Sequence, residues 1–451
     1  MDRTPLSEIE KRLDRPTARD LANAVGRAIS DGALTPGTRL PPIRTVATEL
    51  ALSPTTVSSG WALLSRSGTI RTDGRRGTTV VDTAAPQAGR YRQVLEESDT
   101  AFRIDLSTGV PDPALLPSLS GALTALTTAG TPGSYLDEPV LPELREILRA
   151  DWPYAADELT MVDGAMDGLD LVARSVLRFG DRVAVEDPTF PPLVDLLETV
   201  GAQIVALPMD EHGPDPAGLA AALHAPLAAV VLQPRAQNPT GVSIGPDRAR
   251  TLAAAIGGTA TLVVEDDSAG PASVSAPTSL GRWLPRQTVH LRSFSKSHGP
   301  DLRLAAMSGP SDVLAAIAAR RRNGQGWSSR LLQRILLSLL SDRTARSAVA
   351  EARLEYARRR RLVVDALAEA GVAVGGTDGI NIWVPVNDES AAIVRLASHG
   401  IGVSPGTPFT VGPSTQDHIR VTVGLLADQH DEVASQLAAA ARTGGWRTRG
   451  R

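Results

Sequence analysis

From Ile104 onward the chain alternates short apolar runs with helix-length segments, and this alternation narrows the possible folds more than any other feature. The runs at 182–185, 228–232, 261–264 and 289–291 are aliphatic apart from Arg182, Thr261 and His290. Strands of this kind are buried on both faces, as happens when helices cover both sides of a mostly parallel sheet. A long helical stretch over 331–367 follows. Strands over 379–386 and 418–423 then predict a further small αβ unit.

The first eighty residues obey a different rule. Residues 18–29 place Leu21, Val25, Ala28 and Ile29 on one helical face, and Asp31-Gly32 ends that helix. A second helix fits 43–50. Ser53 is an N-cap candidate, with Pro54 at the first helical position, for a third helix running to Leu64. Two β-like runs, 69–72 and 78–81, flank the hairpin signal Asp73-Gly74-Arg75-Arg76-Gly77. Three short helices and a basic hairpin predict a winged helix over 14–82. Residues 83–103, which include Ala84-Ala85-Pro86-Gln87-Ala88-Gly89, read as a linker, and a flexible chain of that length spans roughly 25 Å. The large α/β unit is expected over 104–445.

Composition sets the outer limits. Hydrophobic residues make up 42% and charged residues 21%, ordinary values for a globular protein. No apolar run is long enough to cross a bilayer and the start lacks a signal-peptide pattern, so a cytoplasmic protein is expected. The absence of cysteine excludes disulfides and thiolate metal sites, and no metal is expected. A net charge of −4 argues against a protein that coats nucleic acid, yet it leaves room for a small DNA-reading module on an acidic body. Lys11 and Lys296 are the only lysines, in a chain whose other strongly basic positions are all Arg.

The amino-terminal unit carries a DNA-reading pattern. In helix-turn-helix proteins the start of the second helix of the motif meets base edges in the major groove. Here that helix offers short hydroxyl side chains, Ser53, Thr55, Thr56 and Ser58, while Arg39, Arg44, Arg75 and Arg76 are placed for phosphates. A lone arginine is ordinarily a solvated charge; the ordered set of helices, cap and basic wing carries the reading. Residues 34–47, 55–64 and 68–80 resemble the start, recognition helix and wing of the GntR-type winged helix. The resemblance implies double-stranded DNA as partner and Arg44 as a contact. Pro54 and Trp61 depart from the residues usual in that family.

The large unit carries a second pattern. Its predicted strands end in polar residues: Glu186-Asp187 after the first run, Gln233 to Asn238 after the second, Glu265-Asp266-Asp267 after the third and Arg292 to Lys296 after the fourth. Ligands of open α/β sheets bind at such carboxyl ends. Pyridoxal phosphate needs what these residues offer: a lysine amine for its aldehyde, a carboxylate for its ring nitrogen, an amide for its phenolic oxygen, an aromatic stacking partner and a phosphate cradle. Singly the signals are weak, since an Asn-Pro-Thr-Gly is often only a turn. Their order is what counts, together with Lys296 being the one lysine of the unit.

From Ile104 to the carboxyl end the chain resembles the fold-type I aminotransferases. The resemblance assigns the aldimine to Lys296, the ring nitrogen to Asp266, the phenolic oxygen to Asn238 and the stacking ring to Phe190. It also assigns the phosphate cradle to Gly164, Ala165, Met166, Ser293, Ser295 and Arg303, a substrate or effector carboxylate to Arg420, and a reach across a dimer to Tyr135. Ser268 stands where related regulators carry Tyr, Leu136 where Gly is common, and Met166-Asp167 where two glutamines are common. These departures argue against efficient transamination.

A winged helix, a linker and an aminotransferase-like domain in this order resemble the MocR-type subfamily of GntR regulators over essentially the whole chain. The resemblance implies a multidomain homodimeric transcription regulator. Its α/β pyridoxal-phosphate-binding domain would have a small carboxy-terminal αβ subdomain and sense an amine, an amino acid or pyridoxal phosphate itself. The alternative is a genuine aminotransferase with an accessory DNA-binding domain.

Overall fold

A computed structural model of the chain describes residues 5–30, 33–35, 37–66, 70–73, 77–80, 102–126 and 138–444. The helix end at Asp31-Gly32, the wing tip with Arg75 and Arg76, nearly all of the predicted linker, and Tyr135 and Leu136 lie outside them.

Among its described residues the amino-terminal unit has four helices, α1 (Pro5–Glu10), α2 (Ala18–Ser30), α3 (Ile43–Glu49) and α4 (Pro54–Arg66). Its three-stranded sheet has the order β1 (Arg39–Leu40), β3 (Gly77–Val80), β2 (Ile70–Asp73). The apolar stripe of α2 (Leu21, Val25, Ala28) meets Val57, Trp61 and Leu64 of α4 in one core. Val57, Trp61 and Leu64 recur at helical spacing, so one face is buried while Thr55 and Ser58 stay exposed. Gly60 lets the two helices close up, because a Cβ there would lie 3.2 Å from Leu21 Cδ2. Ser53 is the expected cap: its Oγ accepts the Thr56 backbone N–H at 2.9 Å. The helix α1 is not foreshadowed by the sequence pattern. Ile9 anchors it in the core, and Glu8 pairs with Lys11 and Arg12, both at 2.8 Å.

The large unit begins at β4 (Ile104–Asp105). It centres on an eight-stranded sheet of strands β5 (Glu158–Val162), β6 (Arg182–Asp187), β7 (Gln203–Asp210), β8 (Gly213–Pro214), β9 (Ala229–Leu232), β10 (Leu262–Asp267), β11 (Thr288–Ser293) and β12 (Ala305–Gly309). The order across the sheet is β5-β12-β11-β10-β9-β6-β7-β8. Strands β11, β10, β9, β6 and β7 run parallel, while β12 is antiparallel to both its neighbours. One core fills each face, with Val185, Val231, Val264 and Leu291 on one side and Ala184, Val230, Leu232 and Val263 on the other. This is the two-sided burial that the apolar runs predict.

A smaller unit packs β13 (Ile382–Val386), β15 (Ser404–Pro405) and β16 (Asp417–Val421) in the order β13-β16-β15. Helices Glu389–Ser398 and His430–Ala441 contribute to its core. The short β14 (Ile401–Gly402) pairs with β4.

The structure moves several expected boundaries. Strand β10 continues through Glu265, Asp266 and Asp267, all buried, although the apolar run stops at Val264. Each acid finds a polar partner from another element, which lets the strand extend into residues that a hydropathy pattern rejects. The long helical stretch is two helices, Arg330–Ser341 and Arg343–Glu369, separated at Asp342, whose side chain accepts the Ala345 N–H at 2.8 Å. The strand expected from Gly379 starts only at Ile382, because Gly379 has φ +82° and residues 379–381 form a wall of the site described next. Among the described residues no helix is long and apolar enough to cross a membrane.

Candidate functional site

The register of the parallel strands brings the polar strand ends together. Leu232 pairs with Glu265, so the next residues, Gln233 and Asp266, lie side by side beyond the apolar part of the sheet. Here a cavity of about 260 Å³ is lined by Lys296, Phe190, Gln233, Asn238, Ser268 and Arg420. Its wall also includes Thr108, Gly109, Ala236, Ala272, Ile380 and Asn381. Four residues singled out from the sequence, Lys296, Asn238, Phe190 and Arg420, therefore share one space.

Asp266 sits beside this cavity, buried, with Gln233 Nε2 donating to its Oδ2 at 2.7 Å. Its other oxygen, Oδ1, is buried without a partner. Burial pushes its carboxyl up to about 6; the Gln233 hydrogen bond and the Lys296 charge oppose that rise, and neighbouring Asp267 adds to it. The Lys296 amine donates to the Gly109 carbonyl at 2.5 Å. Burial first, and the Arg420 charge after it, lower it to about 8 against the pull of Asp266. Arg420 is 1% exposed, reaches the Ser107 carbonyl, and has its guanidinium carbon 5.2 Å from the centre of the Phe409 ring. Gly109 must be glycine in this arrangement: its φ is +67°, and a Cβ would lie 2.8 Å from Arg420 Nη1.

The residues expected to hold a phosphate lie at one end of the sheet. Val162, Ala305 and Ser293 are register neighbours on β5, β12 and β11. Gly164 follows β5 and caps the helix Ala165–Val176 without supplying a side-chain bond to its first-turn amides. With φ +104°, a Cβ on Gly164 would lie 2.7 Å from Arg303 Nη2, so glycine leaves the guanidinium beside open helix-end N–H groups. Ser293 Oγ accepts the Ser295 N–H at 3.2 Å. Asp167 turns its carboxylate back to accept the Asp163 N–H at 2.9 Å. Pyridoxal phosphate fits this site on two observations: the orphaned Asp266 oxygen matches a protonated ring nitrogen, and the Gly164 cradle matches a phosphate.

Three contributors carry no role in the sequence assignment. Gln233 donates to Asp266 Oδ2 and to Ser268 Oγ (3.1 Å), while its Oε1 accepts the Asn238 N–H at 2.8 Å. One amide thus ties the carboxylate expected at the ring nitrogen to the backbone of the residue expected at the phenolic oxygen. The rule that strand ends carry chemistry marks Gln233 as a candidate. Asn381 donates to Asn238 Oδ1 at 3.3 Å, and Thr422 Oγ1 donates to Asn381 Oδ1 at 3.0 Å. With Asn238 Oδ1 so occupied, its NH₂ group is left to serve the cavity. No local signal marks Asn381, because its partner is 143 residues away.

Gln233→Leu should weaken pyridoxal phosphate binding by about tenfold or more, the effect of losing a hydrogen bond to a charged group. It should also raise the Asp266 carboxyl further. Absorbance titration with the cofactor at several pH values checks this; unchanged affinity and an unchanged pH profile would leave Gln233 a packing residue.

In the amino-terminal unit, Arg44, Ser53, Thr55 and Ser58 are exposed and Thr56 is half-buried. The Ser53 hydroxyl is engaged as the helix cap and also meets Thr56 Oγ1 at 2.7 Å, so Thr55 and Ser58 present the freer hydroxyls. Arg39 lies at the base of the wing, with Nε 3.0 Å from where a Gly77 Cβ would stand.

Comparison with known proteins gives two family matches. Residues 17–80 match "Bacterial regulatory proteins, gntR family", and residues 103–437 match "Aminotransferase class I and II". The chain is 34% identical to the vitamin B6 salvage pathway transcriptional repressor PtsJ of Salmonella typhimurium, across 92% of this chain and 96% of that protein. It is 30% identical to the HTH-type transcriptional regulator TauR of Rhodobacter capsulatus, across 86% and 88%. Among solved structures it resembles a kynurenine aminotransferase of Pyrococcus horikoshii with a TM-score of 0.71 at 22% identity, covering 79% of this chain and 95% of that one.

Proposed function

The chain belongs to the MocR-type subfamily of GntR transcription regulators, which joins a winged helix to an aminotransferase-like domain with pyridoxal phosphate as cofactor, and from that premise we propose that occupancy of the Lys296 cavity controls its grip on DNA. One observation carries the reading: Lys296 and the buried guanidinium of Arg420 line one cavity, beside the orphaned oxygen of Asp266, in a chain that also has a capped, hydroxyl-rich recognition helix. We assign DNA reading to residues 14–82, the connection to 83–103 and cofactor binding to 104–445.

Bound at Lys296, pyridoxal phosphate would supply an electrophilic carbon and an electron sink. The protein's own groups do the rest. Asp266 holds the ring-nitrogen proton, Asn238 donates to the phenolic oxygen, and Phe190 covers the ring. Gly164, Ala165, Met166, Ser293, Ser295 and Arg303 hold the phosphate, joined by Tyr135 from the second copy of a homodimer. Arg420 receives the carboxylate of an amino-acid effector, while a simple amine leaves it unused. The name of the Salmonella relative supports the cofactor itself as one effector.

The test is operator affinity, measured by fluorescence anisotropy on a duplex selected from random sequences. Pyridoxal phosphate, alone or with an amino acid, should change that affinity by about 5–150-fold, the usual range of coupling between sites. Rapid transamination with DNA binding indifferent to every ligand would reassign the cavity to an enzyme. Arg44→Ala should weaken binding across all sequences and lower the slope of log affinity against log salt by about one, the mark of one lost phosphate contact. An unchanged salt slope would remove Arg44 from the interface.

A further inference from the structure

The stretch that enters the large unit from the predicted linker, residues 102–112, runs along the cavity wall, where Thr108 and Gly109 form part of the lining. Its two ends are tied to the protein independently of the cavity. On the linker side β4 pairs with β14 over only two residues, and Leu106 N–H donates to the Gly402 carbonyl at 2.8 Å. On the far side the Asp112 carboxylate pairs with Arg359 at 2.7 Å, and its N–H donates to Tyr356 Oη at 3.0 Å. Between these ties, two carbonyls are held by cationic side chains that point to the cavity. Ser107 accepts from Arg420, and Gly109 accepts from Lys296.

We propose that residues 106–110 form an occupancy-reading strap, held by Lys296 and Arg420 when the cavity is empty and let go when ligands take those two side chains. This rests on the reading that Lys296 takes the cofactor and Arg420 the carboxylate. A lysine nitrogen bonded to the cofactor no longer offers its ammonium protons to Gly109, and a guanidinium turned to a carboxylate loses its geometry toward Ser107. The freed carbonyls must find water, so the middle of the strap loosens. Between that middle and the linker lie the two-residue pairing of β4 and the contacts of Arg103 with Gln429 and Glu432, at 3.0 Å and 2.8 Å, and through them a change in the cavity reaches the DNA-reading unit. Coupling is reciprocal: DNA that favours one strap state must change cofactor affinity by the same factor.

Hydrogen exchange of the full-length protein tests the strap, with Gly109 N–H, which donates to Thr422 Oγ1 at 3.0 Å, as one reporter. Peptides covering 104–110 should exchange several-fold faster with pyridoxal phosphate than without it. Lys296→Ala without cofactor should also exchange faster, because one of the two holds is gone. Asp105→Ala removes a strap anchor outside the cavity lining, the carboxylate that accepts the Ser107 N–H at 2.9 Å and its hydroxyl at 2.6 Å. It should still take up the cofactor and bind the operator, but its affinity should change less than twofold on loading. Exchange that is unchanged or slower on loading, or an Asp105→Ala protein that responds to cofactor as the native chain does, overturns the strap while leaving ligand control of DNA binding intact. A native chain whose operator affinity ignores every ligand overturns the regulatory reading itself, and the strap with it.

Discussion

Lys296→Ala protein, incubated with pyridoxal phosphate and treated with borohydride, should carry no covalent label in its large unit, and its operator affinity should be the same with and without cofactor. Only a primary amine can attack the aldehyde, and the unit offers one lysine. Lys296→Arg should fail equally, which separates nucleophilicity from charge. The site prepares the amine: burial and the Arg420 charge lower it from 10.5 to about 8, against the pull of Asp266. At pH 7 about a tenth of such amines are neutral, against roughly one in three thousand for an ordinary lysine. A lowered value means that the reactive form appears as pH rises, so the attachment rate should climb through pH 8 and level off above it. Stopped-flow absorbance between pH 6 and 9.5 reads that midpoint. Labelling within the large unit of Lys296→Ala, or a flat rate profile, would contradict the assignment.

Asp267→Ala should destabilise the cofactor-free large unit by about 3–5 kcal/mol, the cost of leaving one member of a buried ion pair alone. Asp267 and Arg235 are 1% and 5% exposed and meet in a two-pronged contact, at 2.5 Å and 3.1 Å. Burial pushes the Asp267 carboxyl up, but the charge and hydrogen bonds of Arg235 outweigh it and hold the group below its ordinary 3.8. A depressed carboxyl contributes stability above its unfolded value, and that contribution fades as pH falls below about 4 toward the folded one. Urea unfolding at pH 7 measures the loss. Adding Arg235→Met to Asp267→Ala should recover much of it, because a hydrophobic side chain removes the stranded charge. A loss below 1 kcal/mol would show that water reaches Arg235.

Both residues show how far strand patterning reaches. The apolar runs locate the parallel strands β6, β9, β10 and β11 to within a few residues, since burial on both faces excludes polar side chains from their middles; β7, half-buried along much of its length, lies outside those runs. At the ends of β10 and β13 the pattern fails. Asp266 and Asp267 remain in the strand because Gln233 and Arg235 arrive from the neighbouring loop. Gly379 lies outside β13 because its φ of +82° turns the chain into the cavity wall.

Residue chemistry was legible by itself: one lysine in the large unit, an acid after one strand, an Asn-Pro-Thr-Gly after another, and a capped helix of hydroxyl side chains before a basic wing. These identities limit what the chain can bind, because no other side chain forms an imine or holds a ring-nitrogen proton in the same way. Which groups meet was decided by tertiary structure alone. The antiparallel insertion of β12 sets Ser293 beside Ala305 and Val162, and so brings the residues proposed for the phosphate to one end of the sheet. Asn381 reaches Asn238, and the carbonyls of Ser107 and Gly109 reach Arg420 and Lys296, across separations of 143 to 313 residues. Sequence periodicity reports only which face of an element is buried; the partner on the other side of a long loop is selected by packing.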